Sequence, residues 1–349
     1  MRNKISVVIS SYNRAHHLID TLPTLICQPI PKEDYEIVIV DDRSTDNTRE
    51  VCMSFADQCN IRYIRLDEDM RGPIIDPELA HHVEIKGEFD GTDFEYRNCS
   101  YPKNVGWKSA KHDIIMFTDP EVFHLTDTMI DHLHLQNATL YNNLQPKYRM
   151  GNIAGYVYGK NDGPGRPIEK AFYDEFLKLS PVNGMRSKFD TLALCKKHDL
   201  RLIHEAYPFC ITLERGTLED VNGWDARFIH WGMEDNDAMQ RLAWAHNCGV
   251  SFAEIDHDLS KESKMWKPRY VHLWHDQMRI NNHTYNRLLC ERWLHLYARI
   301  WNNCKPLLPD CKRFLKANHR RVLTVEEERQ LTENEARFKE TGEWEEHTQ

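Results

Sequence analysis

The chain has 349 residues, 41% of them hydrophobic and 28% charged. That balance suits a soluble globular protein built as one large domain with an extension, or as two domains. The net charge of −9, from 45 basic and 54 acidic residues, argues against broad, nonspecific nucleic-acid binding. No apolar run reaches the roughly 18 residues of a membrane-spanning helix.

The first apolar run, Ile5 to Ile9 in "ISVVIS", is too short for a secretion signal and reads as a strand buried on both faces. Leu18, Leu22 and Leu25 then recur at helical spacing, with Ile19 and Ile26 beside them and Pro23 expected to distort or shorten the helix. "YEIVIVDD" is a second buried strand ending in two acids. "STDNTREVCMSFA" opens a second helix, and "IRYIRL" is a third strand. Strand, helix, strand, helix, strand predicts a parallel α/β layer with right-handed crossovers.

Residues 67–100 are polar and irregular and read as a long loop or insertion. A short helix over Val105 to Lys111 leads to the strand "DIIMFT", which ends at Asp119-Pro120-Glu121. Pro120 has no N–H, so the ladder should stop there. Its acids then lie at the carboxyl end of a strand, where open α/β sheets take ligands.

Residues 151–217 have no clear pattern. "NDAMQRLAWAHNCG" is helical, with Ala238, Leu242 and Ala245 on one face and Gly249 as its cap. The chain reads as mostly helical from Tyr285. Thr324 to Glu327 form a capping box, and Glu333–Arg337 and Glu335–Lys339 have ion-pair spacing. This tail is an exposed helix or a partner-docking one. The expected division is 1–283, with halves of about 1–125 and 126–283, followed by a helical extension over 284–349. Ten scattered cysteines with no C-x-x-C pair fit a cytoplasmic protein with reduced thiols. Without a secretion signal, the N-x-S/T triplets at Asn98, Asn137 and Asn282 read as chance.

Four blocks carry a resemblance. "SVVISSYNR", "EIVIVDDRSTDNT", "PKNVGWKSAKHDIIMFTDPEV" and "VNGWDARFIHWGMEDNDAMQRL" stand in the order seen in family 2 glycosyltransferases of the GT-A fold. The last block resembles the acceptor-side motif of chondroitin-polymerase-type and β1,4-galactosyltransferase-type enzymes. The likeness covers roughly residues 1–65 and 97–280. It implies a Rossmann-like, mixed but mainly parallel sheet flanked by helices, with a nucleotide sugar bound at the strand ends.

The resemblance also implies roles. Asp41 and Asp42 match the acid pair that meets the nucleotide base, and Ser10 the small hydroxyl residue near it. Lys103 and Asn104 take the family's Arg-Asn positions, with lysine for arginine. Asp119 and Glu121 match the acid-x-acid motif, usually Asp-x-Asp, whose second acid binds the metal. A metal-binding histidine belongs in "VHLWHDQ", with His275 preferred over His272; two histidines packed under the tail is the other reading. Asp235 matches the general base, and Glu234 holds an acceptor hydroxyl. Gly232 belongs to the acceptor-binding turn. Trp231 stacks on an acceptor ring or packs in the core, and Asp237 braces a helix N-terminus.

Chemistry gives these roles independent sense. A nucleoside diphosphate gains negative charge as its sugar departs, and Mg²⁺ or Mn²⁺ on carboxylate oxygens offsets that charge. A positioned carboxylate can take the acceptor's proton. The expected activity is therefore inverting, metal-dependent transfer from a nucleotide sugar, UDP-linked, to a hydroxyl acceptor of glycan type. Two alternatives stand beside it. One is an inactive nucleotide-sugar-binding module. The other is an enzyme acting on a modified nucleic-acid base, for which the basic segment Lys312 to Arg321 could contact phosphates.

Overall fold

The computed structural model describes residues 4–66, 99–124 and 210–229 continuously. Shorter pieces are described at 79, 86–89, 92–95, 128–130, 132–133, 151–152, 156–157, 170–178, 193–194, 197–198, 201–202, 232–235, 237–238, 270–272, 284–290, 329, 333, 336–337 and 340–341. The chain divides into two compact units. One comprises Met1–Arg71, Pro102–Arg215 and Val250–Gln277; the other comprises Gly72–Tyr101, Gly216–Gly249 and Met278–Gln349.

The first unit is built on a six-stranded sheet. Its early strands are β1 (Ile5–Ser11), β2 (Tyr35–Asp41) and β3 (Ile61–Arg65). The chain later adds β6 (Ile114–Thr118), β8 (Gly151–Asn152) and β11 (Cys210–Glu214). The order is β3-β2-β1-β6-β11-β8. β3, β2, β1 and β6 run parallel, while β11 is antiparallel to both its neighbours. This is the mixed, mainly parallel α/β sheet expected of a GT-A fold. Every residue of β2 and β6 is buried, as the unbroken β-branched runs require of central parallel strands.

The two faces of the sheet are covered differently. Val7, Ile9, Ile37 and Ile39 pack with Leu18, Leu22 and Leu25 of α1 (Ala15–Ile26) and with Val51 and Cys52 of α2 (Thr48–Met53). Burying each such side chain contributes about 1.5–3 kcal/mol. Pro23 does not shorten α1, which continues to Ile26. The proline removes the N–H that would donate to the Ile19 carbonyl, and Ile19 lies on the solvent side at 53% exposure, where water can donate to that carbonyl instead. On the other face, α3 (Ser100–Ser109) approaches very closely. A Cβ on Gly106 would lie 2.2 Å from Val8 Cγ1, so glycine is needed there for contact rather than for its backbone angles. The helix starts earlier than the apolar pattern suggests, because Pro102 is tolerated in a first turn. It also stops earlier. Arg215 donates to the carbonyls of Trp107, Ala110 and His112 at 3.0, 2.5 and 3.1 Å, satisfying the acceptors left at the helix end.

A four-stranded sheet completes the first unit. Its order is β10 (Arg201–Leu202), β9 (Tyr156–Val157), β12 (Tyr270–His272) and β7 (Val122–His124). In the second unit, β4 (Lys86–Phe89) and β5 (Thr92–Glu95) form an antiparallel hairpin inside the stretch read as a loop. Residues 284–290 are helical, and an Arg329–Glu333 pair joins residues four apart in the tail. Among the described residues no helix is long and apolar enough to cross a membrane. The capping box at Thr324, the Glu335–Lys339 pair, Leu242, Ala245 and Gly249 lie outside the described residues.

Candidate active site

In the first unit the candidate residues gather at the carboxyl ends of β1, β2 and β6. Asp41, fully buried, ends β2. Its Oδ1 accepts the Ser44 N–H at 2.8 Å and the Ser44 hydroxyl at 2.5 Å. Its Oδ2 accepts the Tyr63 hydroxyl, and Arg65 at 3.2 Å. Burial first, and then the Asp41 carboxylate, hold the Tyr63 phenol well above its ordinary range. Four donors on one carboxylate fix the start of the loop that follows β2.

That loop is tied to the loop after β1. Asn13, in the left-handed region at φ 50°, accepts the Thr45 N–H at 2.7 Å and donates its own N–H to Ser44 Oγ at 2.8 Å. Asp46 accepts the Ala15 N–H at 3.1 Å through Oδ2. Its Oδ1 takes the Thr48 N–H at 3.0 Å and the Thr48 hydroxyl at 2.5 Å. One carboxylate therefore holds the first turns of both α1 and α2 and ties the two loops to each other. Ser10 is half-buried, while Ser11 stands beside Asp41 in register. Ser11 Oγ is buried and has no hydrogen-bond partner among the described residues.

The acid-x-acid segment follows β6, which ends at Thr118 just before Asp119 and Pro120. Val122 N–H closes a turn on the Asp119 carbonyl at 3.1 Å, and Thr21 of α1 donates to the Pro120 carbonyl at 2.8 Å. Glu121 is buried, with its Oε2 3.8 Å from Arg14 Nε. On α3, Asn104 accepts the Trp107 indole N–H at 3.0 Å, and Lys103 is half-buried. Behind the acids lies a buried polar layer. His132 Nε2 is 3.2 Å from Cys210 Sγ and its Nδ1 meets Thr212, while His124 Nε2 is 3.4 Å from Thr118 Oγ1. Burial lowers both histidines to about 3. It pushes the Cys210 thiol well up, with the Asp119 charge adding to the shift.

The two carboxylates of Asp119 and Glu121 are a hard, oxygen-donor set. Among the described residues no group of three His, Cys, Asp or Glu is arranged to hold a metal. Two carboxylates still suit Mg²⁺ or Mn²⁺, which commonly take one or two protein carboxylates and complete their shell with substrate phosphates and water. His272 pairs with Val122 in the β12–β7 ladder, which brings its backbone alongside the residue after Glu121. His275 and Trp231 lie outside the described residues.

Glu234, Asp235 and Asp237 sit in the second unit. Helix Arg215–Val221 ends in a tight turn with Asn222 and Gly223 at φ 56° and 66°. Gly223 N–H reaches the Leu218 carbonyl at 2.8 Å. The turn delivers Trp224, whose indole N–H donates to Asp235 Oδ1 at 2.7 Å. Asp225 and Arg227 form a buried bidentate pair, the shortest contact being 2.7 Å. Gly232 and Met233 then take φ 100° and 72°. They turn the chain into Glu234, which is buried, Asp235, which is half-buried, and Asp237, which is buried. Asp237 donates its N–H to the Met233 carbonyl at 2.9 Å, so it lies in the first turn of the helix that starts there.

Known proteins resemble the chain in these same blocks. Residues 6–75 match glycosyl transferase family 2, and residues 207–268 match the N-terminal domain of galactosyltransferase. Residues 6–75 are thus a glycosyl transferase family 2 segment. Validoxylamine A glucosyltransferase of Streptomyces hygroscopicus subsp. jinggangensis is 48% identical over 248 residues, which are 68% of this chain and 51% of that protein. Chondroitin synthase of Escherichia coli is 29% identical over 251 residues, 68% of this chain and 32% of that one. The chain thus spans about half, or less, of the length of these relatives. Among solved structures, Staphylococcus aureus TarS 1–349 aligns with a TM-score of 0.48 at 17% identity, covering 86% of this chain and 66% of that one.

Several residues of these sites escape a sequence reading. Thr21, Asp46 and Asn286 act across long chain separations, to Pro120, Ala15 and Ile229. Trp224 falls in the same motif block as Asp235, the acid it touches.

Proposed function

We propose that this chain is an inverting, metal-dependent glycosyltransferase that moves a sugar from a UDP-sugar to a hydroxyl acceptor, a glycan or a related polyol. The observation that carries this reading is Asp235, a half-buried carboxylate on a turn with two consecutive left-handed residues, its Oδ1 held by Trp224. A solvated helix acid needs no such hold. A base that must meet one hydroxyl in one orientation does.

The roles follow the family resemblance, and chemistry gives them sense. Asp42 and Ser11, with Ser10 beside them, face the nucleotide base. Asp41 is engaged by Ser44, Tyr63 and Arg65, so it acts by holding the loop. Lys103 and Asn104 serve the donor from α3. Asp119 and Glu121, with His275 or His272, would hold Mn²⁺ or Mg²⁺, which would offset the charge of the departing diphosphate. Asp235 takes the acceptor's proton as its oxygen bonds to the anomeric carbon and the bond to the diphosphate breaks. One base and a direct displacement invert that centre. Glu234, with Trp231 and Gly232 nearby in sequence, holds the acceptor.

The 48% identical relative is named a glucosyltransferase, so UDP-glucose is the first donor to test and validoxylamine A the first small acceptor. The test is a screen of UDP-, GDP- and TDP-sugars for Mn²⁺-dependent turnover, with Asp235→Asn alongside. We expect UDP release from one UDP-sugar, and its loss in Asp235→Asn with UDP affinity kept. A chain that binds no UDP at any Mn²⁺ concentration sinks the reading. Retained turnover in Asp235→Asn removes the base.

A further inference from the structure

Asp235 is held from two directions, and neither hold comes from its own helix. The first is through the side chain. Trp224 is 2% exposed, and an indole N–H can only donate. A buried donor needs an acceptor, and this one takes Asp235 Oδ1 at 2.7 Å. That is a charge-assisted bond when the acid is ionised. The backbone that carries the ring is placed by the turn in which Asn222 and Gly223, at φ 56° and 66°, fold back on helix Arg215–Val221, and burial restricts the ring itself. Engaging one carboxylate oxygen sets the carboxylate plane, and so the direction in which the acid meets a proton.

The second hold is through the backbone. Met233 at φ 72° is in a region that costs a non-glycine residue about 1 kcal/mol or more. It persists only if the surroundings fix the turn. Asn286, fully buried, comes from beyond the 1–283 segment and supplies that fixation. Its Oδ1 accepts the Ile229 N–H at 3.0 Å. Its Nδ2 donates to the Ile229 carbonyl at 2.8 Å and to the Gly232 carbonyl at 2.9 Å. All the hydrogen-bonding positions of one amide except one acceptor site are spent on this turn.

We infer that Trp224 and Asn286 are positioning residues for Asp235, Trp224 by orienting its carboxylate and Asn286 by fixing the turn that carries it. The inference rests on the reading of Asp235 as the base. It also makes residues after 283 part of the acceptor-side machinery.

Trp224→Phe is the sharper test, because it removes the N–H and keeps most of the ring. Turnover is read as Mn²⁺-dependent UDP release from UDP-glucose and UDP-N-acetylglucosamine, with water or the acceptor as nucleophile. Trp224→Phe should lower kcat about ten- to a hundredfold, the worth of one hydrogen bond to a charged group. The KM for donor, UDP affinity and melting temperature should not move. The same substitution made in an Asp235→Asn chain should cost nothing further, because the carboxylate it acts through is gone. If Trp224→Phe also lowers the melting temperature, the benzothiophene isostere of tryptophan replaces it, since it fills the same space without the N–H. Asn286→Ala should lower kcat and melting temperature together. An unchanged kcat in the N–H-less variants, or equal losses with and without the Asp235 carboxylate, overturns the inference and leaves Asp235 as base. Wild-type turnover in Asp235→Asn overturns both.

Discussion

The same three strands end in a buried acid network at each edge of the parallel sheet, and the two networks differ in what they hold. At the amino edge, Glu36 is fully buried. It accepts the Ser6 hydroxyl at 2.7 Å, the Lys111 N–H at 2.5 Å and Arg62 at 2.7 Å. Ser6 in turn takes the His112 N–H at 3.1 Å, and Arg62 reaches the Ser109 carbonyl. The whole cluster pins the end of α3 to the sheet and stops there. At the carboxyl edge, Asp41 is just as buried and just as fully used. Its partners, however, belong to a loop, and the loop continues through Asn13 and Asp46 to two helix starts and toward the acids after β6. A satisfied buried carboxylate is therefore structural at either edge. What sets the carboxyl edge apart is that the chain leaves the network as a pair of loops tied to each other.

The comparison breaks first at Glu36. Glu36→Gln keeps the shape but puts an amide where three donors converge, which should cost about 3 kcal/mol and appear as a large fall in melting temperature. UDP affinity of the folded fraction should be unchanged. Burial pushes the Glu36 carboxyl up, but the Lys111 N–H, the Ser6 hydroxyl and Arg62 outweigh it, so the acid lies below its ordinary range. A folded value below the unfolded one stabilises at all pH above the usual glutamate range near 4.3, and the stability is lost as pH falls through the lowered folded value. The wild-type chain should lose melting temperature in that acid window more steeply than Glu36→Gln. A mutant that binds UDP more weakly would erase the difference between the edges.

Asp41→Asn is the matching change at the other edge. The amide can still accept from Ser44, but its Nδ2 then faces Arg65, at a cost of about 2 kcal/mol. Unlike Glu36→Gln, it should also weaken UDP binding, roughly tenfold, because the loop that follows loses its anchor. Calorimetric titration of UDP with Mn²⁺ beside a thermal melt separates the two effects. A melt shift with unchanged UDP affinity would place Asp41 with Glu36, as a purely structural acid.

How much of this was legible in the sequence depended on chain separation. Ile5–Ser11, Tyr35–Asp41 and Ile114–Thr118 were readable because a fully buried parallel strand writes itself as an unbroken apolar run, and Pro120 marked where the last one stops. The acids at 41, 42, 119 and 121 could be placed at strand ends for the same reason. The hairpin Lys86–Glu95 was not readable, since "KGEF" and "TDFE" are too polar and too short to show alternation. The early start of α3 was hidden by Tyr101 and Pro102, which break the apolar period while fitting a first helical turn. The long-range partners, Tyr63 for Asp41, Thr21 for the Pro120 carbonyl and Asn286 for the Ile229 and Gly232 backbone, leave no local pattern. Their spacing in sequence is set by topology, which no period records.

The smallest effect, and the most informative, belongs to Asp46. The residue is exposed, so its loss leaves no buried charge and no cavity. Its hydrogen bonds to the Ala15 N–H at 3.1 Å and the Thr48 N–H at 3.0 Å are helix caps, and removing such a cap costs about 1 kcal/mol. Asp46→Ala should therefore barely shift the melting temperature. Yet the same carboxylate joins the loop after β1 to the loop after β2, and a nucleotide at those strand ends must find both in place. Loosened loops bind only in the fraction of time they are ordered, so UDP affinity should fall several-fold. Asp46→Asn should recover part of the loss, because its side-chain oxygen can still accept from one of the two helices. Ser6→Ala, a comparably small deletion at the amino edge, should show the opposite pairing: a measurable loss of melting temperature and full UDP affinity. If Asp46→Ala and Ser6→Ala instead change stability and UDP affinity in the same proportion, the two edges differ only in position, and the loop pair has no preorganising role.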